Sequence, residues 1–266
     1  MLIIYPRRNL SVTQTEHCLN FCCEIGRQLL RNGAEIYRVE DSARRILAAY
    51  GYAHTEVFAI PSCIIINIEE NGHNYTKSVR IRSTTNDLDK LERLNALSRS
   101  VCAQRPPLDT AEEQLHNIML DPPHPKWLLY IAHGMAAGFF TLFWGGTPLD
   151  AVISFVCGMA VFFVTRAMSR RDANFFFTNI LASMVIAAIT QLLLLASLRF
   201  HQDMVIIGAI MLLVPGIAIT NVMRDVLAGD FLTALSKFAE VIIVAVAIAV
   251  GIGIPLALGQ MLPGGF

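Results

Sequence analysis

Asp121-Pro122-Pro123-His124-Pro125-Lys126-Trp127-Leu128-Leu129-Tyr130-Ile131 is where this sequence changes character. Its proline cluster reads as a stiff connector, and what lies on either side differs in kind. Residues 1–126 hold 15 Lys and Arg with 15 Asp and Glu, whereas residues 127–266 hold six and six. The first density suits a domain in water and the second a chain in lipid. The averages over all 266 residues, 54% hydrophobic, 16% charged and zero formal net charge, describe neither part. The split excludes one uniform soluble domain, a disordered chain, and a membrane bundle with short tails. Zero net charge argues against a nucleic-acid partner, which needs a concentrated basic surface. The reading is two domains, an α+β domain over 1–126 and an all-α transmembrane bundle over 127–266.

Five stretches after the connector approach the roughly 20 apolar residues that a spanning helix needs. They are about 127–144, 148–168, 175–198, 204–222 and 238–258. Trp127, Tyr130 and Trp144 sit at the ends of the first, where aromatic rings favour the lipid–water interface. The fourth is interrupted by Pro215-Gly216, and proline removes a helical donor. Lys126, Arg166, Arg170, Arg171, Arg224 and Lys237 fall on one side of this arrangement, and only Arg199 falls on the other. The positive-inside rule then puts the N-terminal domain in the cytoplasm and the C-terminus outside. Met1–Tyr5 is apolar but short, and Arg7-Arg8 follow it, the reverse of a secretory signal. An odd number of spans cannot contain two equal inverted halves, which points to further spans on another chain.

The first domain reads as helix, helix, three strands, helix, helix. Ser11-Val12-Thr13-Gln14 is a helix start, and Gly33 and Gly51 close the first two helices. Strands are expected at Thr55–Ile60, Ser62–Glu69 and Tyr75–Arg82, with Asn71-Gly72 as a hairpin turn. Leu88, Leu91, Leu94, Leu97 and Val101 form the stripe of a third helix, and a short fourth spans about 110–120. Cys18, Cys22, Cys23, Cys63, Cys102 and Cys157 show no paired spacing and read as reduced packing residues. No phosphate loop, dinucleotide fingerprint, nucleophile elbow or zinc-protease motif is present. The reading therefore has no cofactor, no metal and no catalytic residue. Gly33, Glu35, Arg38 and Glu40 form a dense cluster. Glu35 suits a helix N-terminus, and Glu40 pairs with Arg44 at i,i+4. A solvated, capped helix explains them, and a gate or subunit contact is the functional alternative.

Gly33-Ala34-Glu35 between two helices, a β-rich segment, a Pro-rich bridge, and Leu212-Leu213-Val214-Pro215-Gly216 followed by Asn221, Asp225 and Gly229 together resemble the threonine/serine exporter family. The resemblance is greatest to the larger subunit of its split, two-component version, implicated in succinate export. It implies a bacterial inner-membrane exporter subunit without enzymatic activity. It also implies a smaller all-membrane partner that completes about ten spans, with a higher hetero-oligomer as an extension. The implied solute is a small carboxylate, a succinate-like dicarboxylate first and threonine or serine second. Rival readings are a membrane-anchored hydrolase-like enzyme and a membrane-anchored sensor or scaffold. Simple anchors need no Pro-Gly break and no intramembrane Asn and Asp.

Polar groups in spans are costly and face a cavity or another helix. Pro215 and Gly216 break a helix and expose backbone groups that need partners. Asn221 and Asp225, one turn apart, are placed to bind solute and to carry a proton or cation. Arg224 suits a carboxylate by its forked geometry, on chemical grounds alone. The competing reading is a proline kink followed by a helix end at the interface. Asn179 with Ser183 and Thr190 makes one face of the third span polar, by helix–helix bonding or as a solute path. His133 is a candidate proton carrier, with a packing histidine as the alternative.

Overall fold

A computed structural model describes residues 14–82, 84–121 and 125–261. The expected helix start at Ser11–Thr13 and the prolines Pro122 and Pro123 lie outside the described residues. The chain separates into two compact units, residues 1–122 and 123–266. The described residues are mostly helical, with one small sheet in the first unit.

In the first unit, α1 (Gln14–Arg31) and α2 (Ile36–Ala49) precede β1 (Thr55–Ile60), β2 (Cys63–Glu70) and β3 (His73–Arg80). Then come α3 (Leu88–Gln104) and α4 (Leu108–Leu120). The strands form an antiparallel sheet in the order β1-β2-β3. The hairpin turn falls at Asn71-Gly72, both with positive φ (51° and 77°). One sheet face buries Val57, Ala59, Ile64, Ile66 and Ile68 beside Phe21, Ile25 and Leu29 of α1. Gly26 permits that approach, because a Cβ there would lie 2.6 Å from Ile64 Cδ1. Leu94, Leu97 and Val101 of the α3 stripe are buried, whereas Leu88 is exposed, because it opens the helix before the stripe reaches the core. All six cysteines are free. Burial raises the Cys23 thiol from 9.0 to about 11. Burial and the Cys18 hydrogen bond push the Cys22 thiol well up. Protonated thiols of this kind are packing groups, not nucleophiles.

In the second unit, α5 (Lys126–Phe143), α6 (Pro148–Ser169) and α7 (Phe175–Leu195) are joined by short turns. They are followed by α8 (Gln202–Ile210), α9 (Gly216–Leu227) and α10 (Phe231–Met261). Three of these helices, α6, α7 and α10, are long and apolar enough to cross a membrane. The expected fourth span is two short helices, because the helix stops before Pro215 and restarts after it. The expected fifth begins seven residues earlier than its hydropathy suggests. Asp230 Oδ1 accepts the Thr233 N–H (3.2 Å), which starts the helix at Phe231 and draws Lys237 and Glu240 into it.

Small residues set the packing. A Cβ on Gly158 would lie 2.5 Å from His133 O, and one on Gly138 would lie 3.0 Å from Ala151 O, so α5 and α6 run antiparallel in close contact. A Cβ on Gly251 would collide with Ser183 Oγ and Ile180 O, and one on Gly259 would lie 2.7 Å from the Gln191 side chain. Both contacts advance in the same direction, so α7 and α10 are parallel. Gly253, by contrast, has nothing within 4 Å of its Cβ position. The register puts the start of α7 level with about residue 243–246 of α10. About a dozen residues of α10, on the order of 18 Å at 1.5 Å per residue, extend past it. The neighbour of α10 over that length is α9.

Candidate transport site

The break is built by hydrogen bonds that close a turn instead of continuing a helix. Leu213 and Val214 both donate to Ile210 O (2.7 and 3.1 Å), and Gly216 donates to Val214 O (2.8 Å). Pro215 cannot donate, and α9 starts immediately after it. A Cβ on Gly216 would meet nothing within 4 Å, so open space borders the break.

Val222 and Asp225 are the buried residues of α9. Asp225 Oδ2 lies 2.8 Å from Lys237 Nζ of α10, with the two side chains 4% and 17% exposed. A charged pair this dry is held by a charge-assisted hydrogen bond, and losing either partner strands the other. The turn between the helices is shaped for the pair. Gly229 takes φ +82°, and Asp230 N–H donates to Asp225 O (2.9 Å). Asn221 is half-buried one turn before Asp225, and Arg224 is exposed. The structure thus places Pro215, Gly216, Asn221, Arg224 and Asp225 on one short segment and adds Lys237. Reading Lys237 as a loop charge is corrected here, because it lies inside α10 and is mostly buried. Its signal was its position just past a Gly229 turn from an acidic residue.

The polar face of α7 is bonded within the bundle. Asn179 Nδ2 donates to Phe175 O (2.9 Å), Ser183 Oγ to Asn179 O (2.7 Å), and Thr190 Oγ1 to Ala187 O (2.9 Å). Buried Ser183 lies against Gly251, and Thr190 also accepts from Gln202 Nε2 of α8 (3.1 Å). Ser183 and Thr190 thus meet neighbouring helices, whereas the Asn179 bond stays within α7. His133 Nδ1 donates to Leu129 O of its own helix (2.8 Å), and its ring lies 4.5 Å from that of Phe162.

A second polar cluster joins α6 to α8. Fully buried Asp150 accepts from Thr147 N (2.7 Å), Thr147 Oγ1 (2.8 Å), His201 N (2.9 Å) and His201 Nδ1 (2.9 Å). Thr147-Pro148-Leu149-Asp150 is a capping box with proline in the first turn, a signal present in the sequence. His201, 51 residues on, had none.

The Gly33 cluster belongs to the first unit and is described within it. Gly33 takes φ +95°, and a Cβ there would lie 2.8 Å from Asn86 Oδ1. Glu35 pairs with Arg38 (2.9 Å). Glu40 pairs with Arg44 (3.1 Å) and accepts the Ala59 N–H of edge strand β1 (2.9 Å). Nearby in sequence, His17 lies 3.1 Å from Glu112 and 3.9 Å from Asp109, joining α1 to α4 by a surface polar contact.

Apolar helices long enough to cross a membrane, a broken helix and a largely buried charged pair on its second half mark a membrane protein. The comparisons agree. Residues 20–259 match the family described as "Putative threonine/serine exporter", and the chain belongs to that family. It is 23% identical over 261 residues to a threonine/serine exporter of Corynebacterium glutamicum, covering 94% of this chain and 53% of that protein. It is 25% identical over 236 residues to a probable threonine/serine exporter of Mycobacterium tuberculosis, covering 86% of this chain and 44% of that protein. The chain therefore spans about half the length of these relatives. They are named as exporters rather than enzymes. No solved structure matches the chain.

Proposed function

We propose that this chain is the larger subunit of a two-component inner-membrane exporter of small carboxylates. In this reading α5, the α8–α9 pair and the three long helices make five spans. The first unit and the α9–α10 turn lie in the cytoplasm, and the C-terminus lies in the periplasm. A smaller all-membrane subunit supplies further spans and completes about ten. A C4 dicarboxylate such as succinate is the first substrate, from the resemblance to the two-component exporter. Threonine and serine, named for the relatives, are the second.

One observation carries the reading: the buried Asp225–Lys237 pair one turn from Asn221, near the far end of the helix that the Pro215 break starts. A solute carboxylate attracted to Lys237 competes with Asp225. Asp225 is then released to take a proton, and Asn221 holds the solute by hydrogen bonds. Arg224 guides the anion toward the break. Alternating access moves α9 and α10 around this site.

Efflux from cells loaded with succinate, threonine or serine, with and without the neighbouring membrane gene's product, tests the proposal. Asp225→Asn and Asn221→Ala should each lower efflux at least tenfold while membrane insertion stays normal. Near-normal efflux in both variants would sink the site, and full activity of this chain alone would sink the two-component reading.

A further inference from the structure

We infer that the C-terminal end of α6 carries a binding site for the phosphate head of an anionic phospholipid. The inference rests on α6 being a membrane span and is independent of the solute. Phe162, Thr165, Arg166, Ser169 and Arg170 line a shallow pocket of about 350 Å³ over the last two turns of α6. Arg166 and Arg170 are one turn apart, so their guanidiniums reach the same few ångströms of space. Neither guanidinium has an ion-pair or hydrogen-bond partner among the described residues. Each fork matches two oxygens of a phosphate, and the Ser169 hydroxyl adds a donor beside them.

The floor and the level of the pocket fit a lipid better than a free anion. Phe162 stacks edge-on against Tyr130 at 4.7 Å, and the His133 ring lies 4.5 Å from it. This aromatic floor suits the glycerol and first methylenes below a headgroup. The α5–α6 contacts at Gly138–Ala151 and Gly158–His133 extend to put exposed Lys126 at about the level of Arg166 along the helices. Phe163, next to the pocket, is 61% exposed and offers apolar surface for an acyl chain. Basic pockets between spans on the cytoplasmic side are where anionic headgroups bind.

The test is the unfolding temperature of the purified full chain in neutral detergent. Added phosphatidylglycerol should raise it by about 5 °C, as expected for a ligand well above its dissociation constant. Phosphatidylcholine and inorganic phosphate at the same concentration should not. Arg166→Gln/Arg170→Gln should remove most of the shift, Arg166→Lys/Arg170→Lys should keep part of it, and Arg199→Gln should keep all of it. Should the double glutamine variant not fold, native mass spectrometry of the unaltered chain decides. Retention of phosphatidylglycerol over phosphatidylcholine supports the site, and equal retention overturns it. An equal shift with phosphatidylcholine, or an unchanged shift in the glutamine variant, also overturns it. A shift with inorganic phosphate alone overturns the lipid assignment in favour of a free-anion site.

Discussion

α8 and α9 stand on either side of Pro215 and are held in opposite ways. The nine residues of α8 are anchored at their start by His201 on Asp150 and Gln202 on Thr190. Gly208 then seats the helix so close to α5 that a Cβ would lie 2.7 Å from Thr141 N. The neighbours of α8 are α5, α6 and α7; that of α9 is α10. Along α9, Ile217, Met223, Val226 and Leu227 remain exposed, and Asp225–Lys237 is its polar tie. One half of the broken segment is thus part of a scaffold, whereas the other is an arm attached along one side. The chemistry proposed for transport lies on the arm.

Four variants probe this contrast. The largest effect is expected from Gly208→Val, which must push α8 off α5 and should cost roughly 3 kcal/mol. Yield of folded protein and efflux should fall together; a normal yield would show that α8 is not seated as tightly as described. Next is Lys237→Ala, which leaves Asp225 buried without its cation. The loss should be roughly 2–3 kcal/mol, discounted for the partial exposure of the lysine. Asp225→Asn/Lys237→Met should regain most of that stability in thermal unfolding while efflux stays low. Recovery of efflux in the double variant would make the pair structural only. The smallest effect is expected from Asp150→Asn. Asn keeps an oxygen for the His201 N–H but loses the charge, so a loss of about 1–2 kcal/mol should follow. Efflux should track the folded fraction, and a specific loss of transport at normal stability would move α8 from scaffold to mechanism.

Much of the fold was legible in the sequence because its signals are local. The charge contrast around Pro122, the Asn71-Gly72 turn and the strand alternation depend on residues within a few positions of each other. The Pro215 break was equally readable, since proline lacks a donor whatever surrounds it. The partners of the charged groups were not readable. Lys237 looked like a loop residue because hydropathy alone cannot see that Asp230 starts α10 early and turns the lysine toward Asp225. His201 gave no sign of its tie to Asp150, because a contact across 51 residues has no sequence period. The paired glycines show the same limit. Gly251 and Gly253 stand two residues apart on one helix, yet the two positions face different surroundings, one filled by Ser183 and the other open.

The parallel register of α7 and α10 has a mechanical consequence. Gly251 and Gly259 pin α10 to α7 near one end, and the dozen residues before the start of α7 stand free of that clamp. Such a rod is a lever whose fulcrum is the glycine contact. A tilt of about 5° there, small enough to leave the clamp intact, moves Lys237, about 21 Å before Gly251 at 1.5 Å per residue, by roughly 1.8 Å. That displacement is comparable to the difference between a hydrogen bond and no bond at Lys237.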